Sequence, residues 1–168
     1  MRNSLVLLLN LTFLLGTLSC SQQKISDQER RREQEIAAAE SLRQEYKQVV
    51  GVYEGELLGA NEYQQDVVLT LSIQDIPVVV EGQVDPVLTP KLVGQLRLVF
   101  SEVEFIDAPI KSSEYFAAQK RLNLLVDHSQ TGEMSLNLVL SNSQLSGTWV
   151  APSAGNSGTT ILNKEESP

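Results

Sequence analysis

From Gly51 onward, apolar and polar residues take turns along the chain with the two-residue period of strands that bury one face. Tyr53, Gly55 and Leu57 alternate with Glu54, Glu56 and Leu58, and Val67, Leu69, Leu71 and Ile73 with Val68, Thr70, Ser72 and Gln74. Leu92, Leu96, Leu98 and Phe100 oppose Gln95, Arg97 and Val99, with Gly94 on the apolar side. Leu122, Leu124 and Val126 follow, then Met134, Leu136, Leu138 and Leu140, then Leu145, Gly147 and Trp149, and Thr159 to Leu162 closes the series. Val78 to Val80 and Val103 to Ile106 are read as additional strands. Turn-forming residues separate the runs at Gly59-Ala60-Asn61, Asp85-Pro86, Thr89-Pro90, Asp107-Ala108-Pro109, Asp127 to Gly132 and Ser141-Asn142-Ser143. The pattern predicts a mainly β domain, a small antiparallel up-and-down barrel or sandwich of roughly seven to nine strands, because one-sided apolar strands must close or stack. Polar residues at alternate positions exclude a parallel sheet covered on both faces and oppose a membrane-spanning barrel, whose outward face is apolar.

Before Gly51 the period is different. Ser21 to Val50 contains no Gly or Pro and is rich in Gln, Glu, Arg and Ala, all good helix formers. Ser26 with Glu29 three residues later forms a capping-box pattern, and Glu29 with Arg32 and Glu40 with Arg43 stand at helical spacing. Ile36, Ala39, Leu42 or Arg43, Tyr46, and Val49 or Val50 mark a narrow apolar stripe. Such a stripe serves a spacer whose last two turns dock on the following domain, or a short coiled-coil or partner helix. Arg30-Arg31-Arg32 is flanked by Glu29, Glu33 and Glu35, as on a solvated helix face.

The first residues follow a third pattern. Arg2 supplies a positive start, Leu5 to Leu15 an apolar run, and Gly16 to Cys20 a small-residue segment, together a secretory signal. The run is shorter than the roughly 20 residues that span a bilayer. Thr17-Leu18-Ser19-Cys20 resembles the lipobox of bacterial lipoproteins. The resemblance implies cleavage before Cys20, transfer of diacylglycerol to its sulfur and acylation, for instance with palmitate, of the new amine. It further implies that, because Ser21 rather than Asp follows, the protein is sorted to the outer membrane of a two-membrane cell envelope. The alternative is an ordinary secretory signal, with Cys20 removed or left as a free thiol. The chain then divides into a signal peptide over 1–19, a lipid-anchored polar helical tether over 20–50 and a barrel domain over 51–168.

Val50-Gly51-Val52-Tyr53, following a helical lead-in, and Leu145-Ser146-Gly147-Thr148-Trp149 near the end resemble the first and last motifs of calycin-type barrels, the group that includes the lipocalins. That resemblance implies an up-and-down barrel able to hold a small apolar ligand or lipid. Tyr53 and Trp149 are read in preference as plain core residues or plugs at the barrel ends.

Charge and rare residues narrow the function. Six basic and fifteen acidic residues lie between Gly51 and Pro168, against six of each from Lys24 to Val50, so the domain carries the net negative charge. An acidic domain has no electrostatic footing on nucleic acid. With one Cys there is no internal disulfide or cysteine-clustered zinc site, and with one His few imidazole-built sites remain. Asp127-His128-Ser129 brings three catalytic residue types into sequence, but neighbouring side chains on a strand or turn point apart, so a polar turn is expected. Glu54 with Glu56, and Glu102 with Glu104, are each read as pairs on one strand face, exposed at an edge. Gly155 and Gly158 lack phosphate-loop spacing and are assigned to a hairpin loop. The expectation is therefore a non-enzymatic envelope lipoprotein with no cofactor, metal or catalytic residue, attached to the membrane through Cys20. Its barrel is an interaction or structural module for an envelope protein or, alternatively, a carrier for a small apolar ligand.

Overall fold

A computed structural model describes residues 27–60, 62–79, 85–129 and 132–165. The expected signal peptide, Cys20 and the start of the expected tether, through Ser26, lie outside the described residues. A helix, α1, covers residues 27–46. Eight strands follow: β1 (Gly51–Gly59), β2 (Gln64–Val78), β3 (Val87–Val99), β4 (Phe105–Phe116), β5 (Arg121–His128), β6 (Gly132–Ser141), β7 (Gln144–Ala151) and β8 (Asn156–Lys164). They form one closed barrel in chain order, with β1 hydrogen-bonded antiparallel to both β2 and β8. The described residues fall into two compact units. One comprises α1 up to Ser41 with Ile76–Thr89; the other comprises Leu42–Asp75 and the chain from Pro90 onward. In the first unit Arg32 reaches Asp85 at 3.7 Å.

The barrel follows from the alternation. Leu122, Leu124, Val126 and His128 of β5 point inward, and the first three stand directly opposite Leu138, Leu136 and Met134 of β6. Tyr53, Leu57, Val67, Leu69, Leu71, Leu92 and Leu96 complete much of the same interior, each almost entirely buried. Full closure removes the unpaired edges that an open sheet would expose. A glycine stands in the inward row of β1, β3, β7 and β8. A methyl group on Gly55, Gly94, Gly147 or Gly158 would strike the neighbouring strand's backbone, at the carbonyls of Ile161, Thr70, Asn137 and Leu58 respectively. Glycine at these points lets adjacent strands approach closely enough for a narrow barrel.

One end of the barrel is stopped by the chain leading into it. Tyr46 and Val49 are buried, and Leu42 and Val50 pack partly against the same core. The Tyr53 hydroxyl donates to the Val49 carbonyl at 3.0 Å, and the Tyr115 hydroxyl donates to Gln48 Oε1 at 3.2 Å. Arg43 is fixed to Asp75 at 2.6 Å. The docking predicted for the last helical turns is therefore present, whereas Ile36, further up the same stripe, is half exposed.

Four local readings need correction. Thr89-Pro90 is not a turn: both residues lie within β3, and Pro90 is buried in the inward row that continues through Leu92, Leu96 and Leu98. Asp107-Ala108-Pro109 is not a turn either but the start of β4, where Pro109 sits opposite Gln95. A register shift between Ile110 and Ser112 breaks the two-residue period there, so the buried positions change phase from Ala108 to Tyr115 and the strand loses its sequence signature. Val103 belongs to the turn before β4 rather than to a strand, and β2 ends at Val78.

Candidate functional site

At the end opposite the helical stopper, the inward rows stop short of meeting and leave a pocket of about 200 Å³. Leu57 of β1 and Leu98 of β3 line it, together with Met134 of β6 and Trp149 of β7. Tyr63 and Phe100, from the connections after β1 and β3, lie at its opening, and Ala154 precedes β8. Two polar side chains also line the pocket, His128 at the end of β5 and Asn156 at the start of β8. Each strand brings its residue here for the same reason: the inward phase, carried to the last residue, ends at the mouth.

The pocket is braced by polar contacts on its rim. Trp149 Nε1 donates to the Leu58 carbonyl at 3.3 Å, and its ring meets that of Tyr63 with centroids 5.8 Å apart. Gln65 Nε2 donates to the Val99 carbonyl at 2.6 Å, tying β2 to β3 at the same end. Thr160 Oγ1 donates to the Glu56 carbonyl at 2.7 Å. Burial pushes the Tyr63 hydroxyl up and the His128 imidazole down from their ordinary values. His128 is consequently held toward its neutral form, and the cavity presents an apolar surface with an imidazole and an amide at its edge.

His128 is only 4% exposed and both it and Asp127 belong to β5, so the polar turn expected over residues 127–132 begins two residues later than read, at Ser129. The signal for this was present: extending the alternation from Leu124 and Val126 by one step places His128 inside. Its sequence neighbour points the other way, as expected. Asp127 faces outward to Lys111 at 3.5 Å, and Lys111 also holds Glu133 at 2.8 Å. The structure therefore does not bring Asp127 and His128 together.

Glu54 and Glu56 share the outer face of β1, with Glu56 directly opposite Asp66. Glu165 raises the Glu54 carboxyl, first through a side-chain hydrogen bond and then through its charge. Glu102 and Glu104 lie in the turn between β3 and β4 rather than on a strand face, and the Glu104 amide donates to Ser101 Oγ at 3.1 Å. Gly155 closes a short 3-10 turn in the left-handed conformation, φ 62°, but Gly158 is a strand residue facing β1, not part of a loop. Among the described residues, no group of three or more His, Cys, Asp or Glu side chains is arranged to hold a metal ion, and no helix is long and apolar enough to cross a membrane. Cys20 lies outside the described residues.

The fold and its mouth define a closed eight-stranded up-and-down barrel, filled through its middle, stopped by a helix end and cupped at the other end. No protein-family model, curated protein or solved structure matches the chain.

Proposed function

We propose that the mature chain is a lipid-anchored lipoprotein of a bacterial cell envelope, held in the outer membrane through acyl groups on Cys20. Its barrel serves as a non-catalytic interaction module. The observation that carries this reading is the filled interior. Tyr53, Leu69, Leu96, Leu122, Leu136 and Leu138 occupy the space that a carrier would leave for its cargo. The pocket at the barrel mouth, about 200 Å³, is below the roughly 300–1,000 Å³ typical of small-molecule sites. The charged start, the apolar run and the lipobox-like end of the first twenty residues support the anchor.

The mouth pocket favours a second reading, in which a calycin-like barrel carries a small apolar ligand at its opening rather than in its centre. The native mass of the full chain, purified gently from its own envelope, separates the two. The first reading expects the polypeptide from Cys20 plus covalent acyl groups and nothing more. A further mass that disappears on denaturation makes the protein a carrier. An amino terminus that is unacylated or starts elsewhere removes the anchor.

A further inference from the structure

The turn between β3 and β4 exposes apolar side chains in a fixed conformation. Val103 is 89% exposed and Phe100 50%, yet the backbone around them is tied down. The amides of Phe100 and Ser101 both donate to the Glu104 carbonyl, at 2.9 and 3.1 Å, and the Glu104 amide returns a bond to Ser101. Phe100 also lines the pocket, so the exposed apolar surface and the cavity are continuous. A rigid, apolar, water-facing surface that runs into a cavity is the form of a site completed by another molecule.

The charges at the same end specify which kind. Glu62, in the connection after β1, and Glu102 and Glu104, after β3, are exposed, and no ion pair joins them to a base among the described residues. The described residues of the four connections at the mouth contain no Lys or Arg. The nearby bases are committed elsewhere: Arg97 to Asp107 at 2.7 Å, and Lys111 to Glu133 and Asp127. Unpaired acids on one side of an apolar cup repel a fatty acid carboxylate and attract a cationic chain.

We infer that the open mouth is a docking site for a basic segment of a partner protein, which inserts one large aliphatic or aromatic side chain into the pocket. This rests on the reading of the barrel as an interaction module and gives that module its face and its partner's chemistry. The pocket volume matches a single side chain, and the bases flanking that side chain meet Glu62, Glu102 and Glu104. Phe100 and Val103 cover its neighbours.

The test is selection of short displayed peptides on the full chain in detergent, followed by titration of a synthetic consensus peptide against emission of Trp149. This is the sole tryptophan, and it lines the pocket. The expected consensus is one large apolar residue flanked by Lys or Arg. Ala154→Phe, at an exposed position on the pocket, should weaken binding about tenfold, the scale of losing one anchor. The combined Glu62→Gln, Glu102→Gln, Glu104→Gln variant should bind several-fold more weakly and lose most of its salt dependence. Failure to enrich any peptide, a consensus without bases, or undiminished binding by Ala154→Phe would overturn the assignment of this mouth, while leaving an interaction surface elsewhere on the barrel open. Titration with octanoate separates the remaining outcome. If octanoate saturates the Trp149 signal and no peptide is enriched, the interaction-module reading falls as well, and the pocket belongs to a carrier.

Discussion

The hydroxyl of Tyr53 is the fully buried polar link between the barrel and the chain that stops it, and Tyr53→Phe isolates its contribution. The ring stays buried and the packing is unchanged, but the bond to the Val49 carbonyl is lost in a fully buried setting. Leaving a buried acceptor without its donor costs about 1–3 kcal/mol. At about 4 °C per kcal/mol for a domain of this size, the melting temperature should fall by roughly 4–12 °C. Urea unfolding followed through Trp149 should show a lower midpoint with an unchanged slope. Tyr115→Phe provides the comparison. Its hydroxyl meets the exposed Gln48 amide, which water can satisfy, so its loss should be smaller.

A second measurement on the same variant tests the burial itself. Burial, and after it the neighbouring Tyr115, pushes the Tyr53 hydroxyl up to about 12. The folded state then keeps a proton that the unfolded chain releases near its ordinary value of about 10. Stability from this residue is intact below pH 10 and is lost as pH rises from there through 12. The loss is on the order of 2–3 kcal/mol at its end. Tyr53→Phe lacks that alkaline loss, so the wild type and the variant should converge in stability at high pH. A variant within about 0.5 kcal/mol of wild type at pH 8, the noise of a neutral surface change, would refute the hydrogen bond. A gap that stays constant into the alkaline range would refute the buried tyrosine.

Two further outcomes follow from the interior. Gly147→Ala places a methyl group against the Asn137 carbonyl, so denaturant unfolding should show a loss of about 1–3 kcal/mol despite the better strand propensity of alanine; wild-type stability would mean that the strands are not in close approach there. His128 is held below its ordinary value by burial, so the unfolded chain binds its proton more tightly. Stability from this residue is present above about pH 6.5 and declines as pH falls below it, and His128→Leu should flatten the dependence of the urea midpoint between pH 7.5 and 5.

How far the sequence discloses this molecule depends on how regular each strand is. β5, β6 and β7 keep one inward phase from end to end, and their alternation predicts both their existence and their facing residues. β4 does not. With Ala108 and Tyr115 as its only buried residues, Pro109 inside it and a phase change at Ile110, it has the composition of a loop and is held by its neighbours. Pro90 misleads for the same reason, since a proline reads as a break wherever its missing amide proves tolerable. The pocket was legible only in part. Trp149 is legible as an end plug, but Leu98, Met134 and Asn156 meet it only because closure brings β3, β6, β7 and β8 to one rim. No local pattern carries that information. Charge is more direct: the acidic excess after Gly51 is visible in composition, although the meeting of Glu62, Glu102 and Glu104 at one end requires the topology.

Up-and-down connectivity has a consequence for how this chain can change. The polypeptide joins the barrel at Gly51 and leaves it at Lys164, on hydrogen-bonded neighbours, at the end stopped by the helix. The turns after β1, β3, β5 and β7 all lie at the other end. Insertions or deletions in those four turns alter one rim without shifting the point of attachment, and replacements in the helix end alter the stopper without reshaping the rim. The two ends of the barrel are thus independently variable, and relatives of this chain would be expected to diverge fastest at the mouth while keeping the glycines that curl its wall.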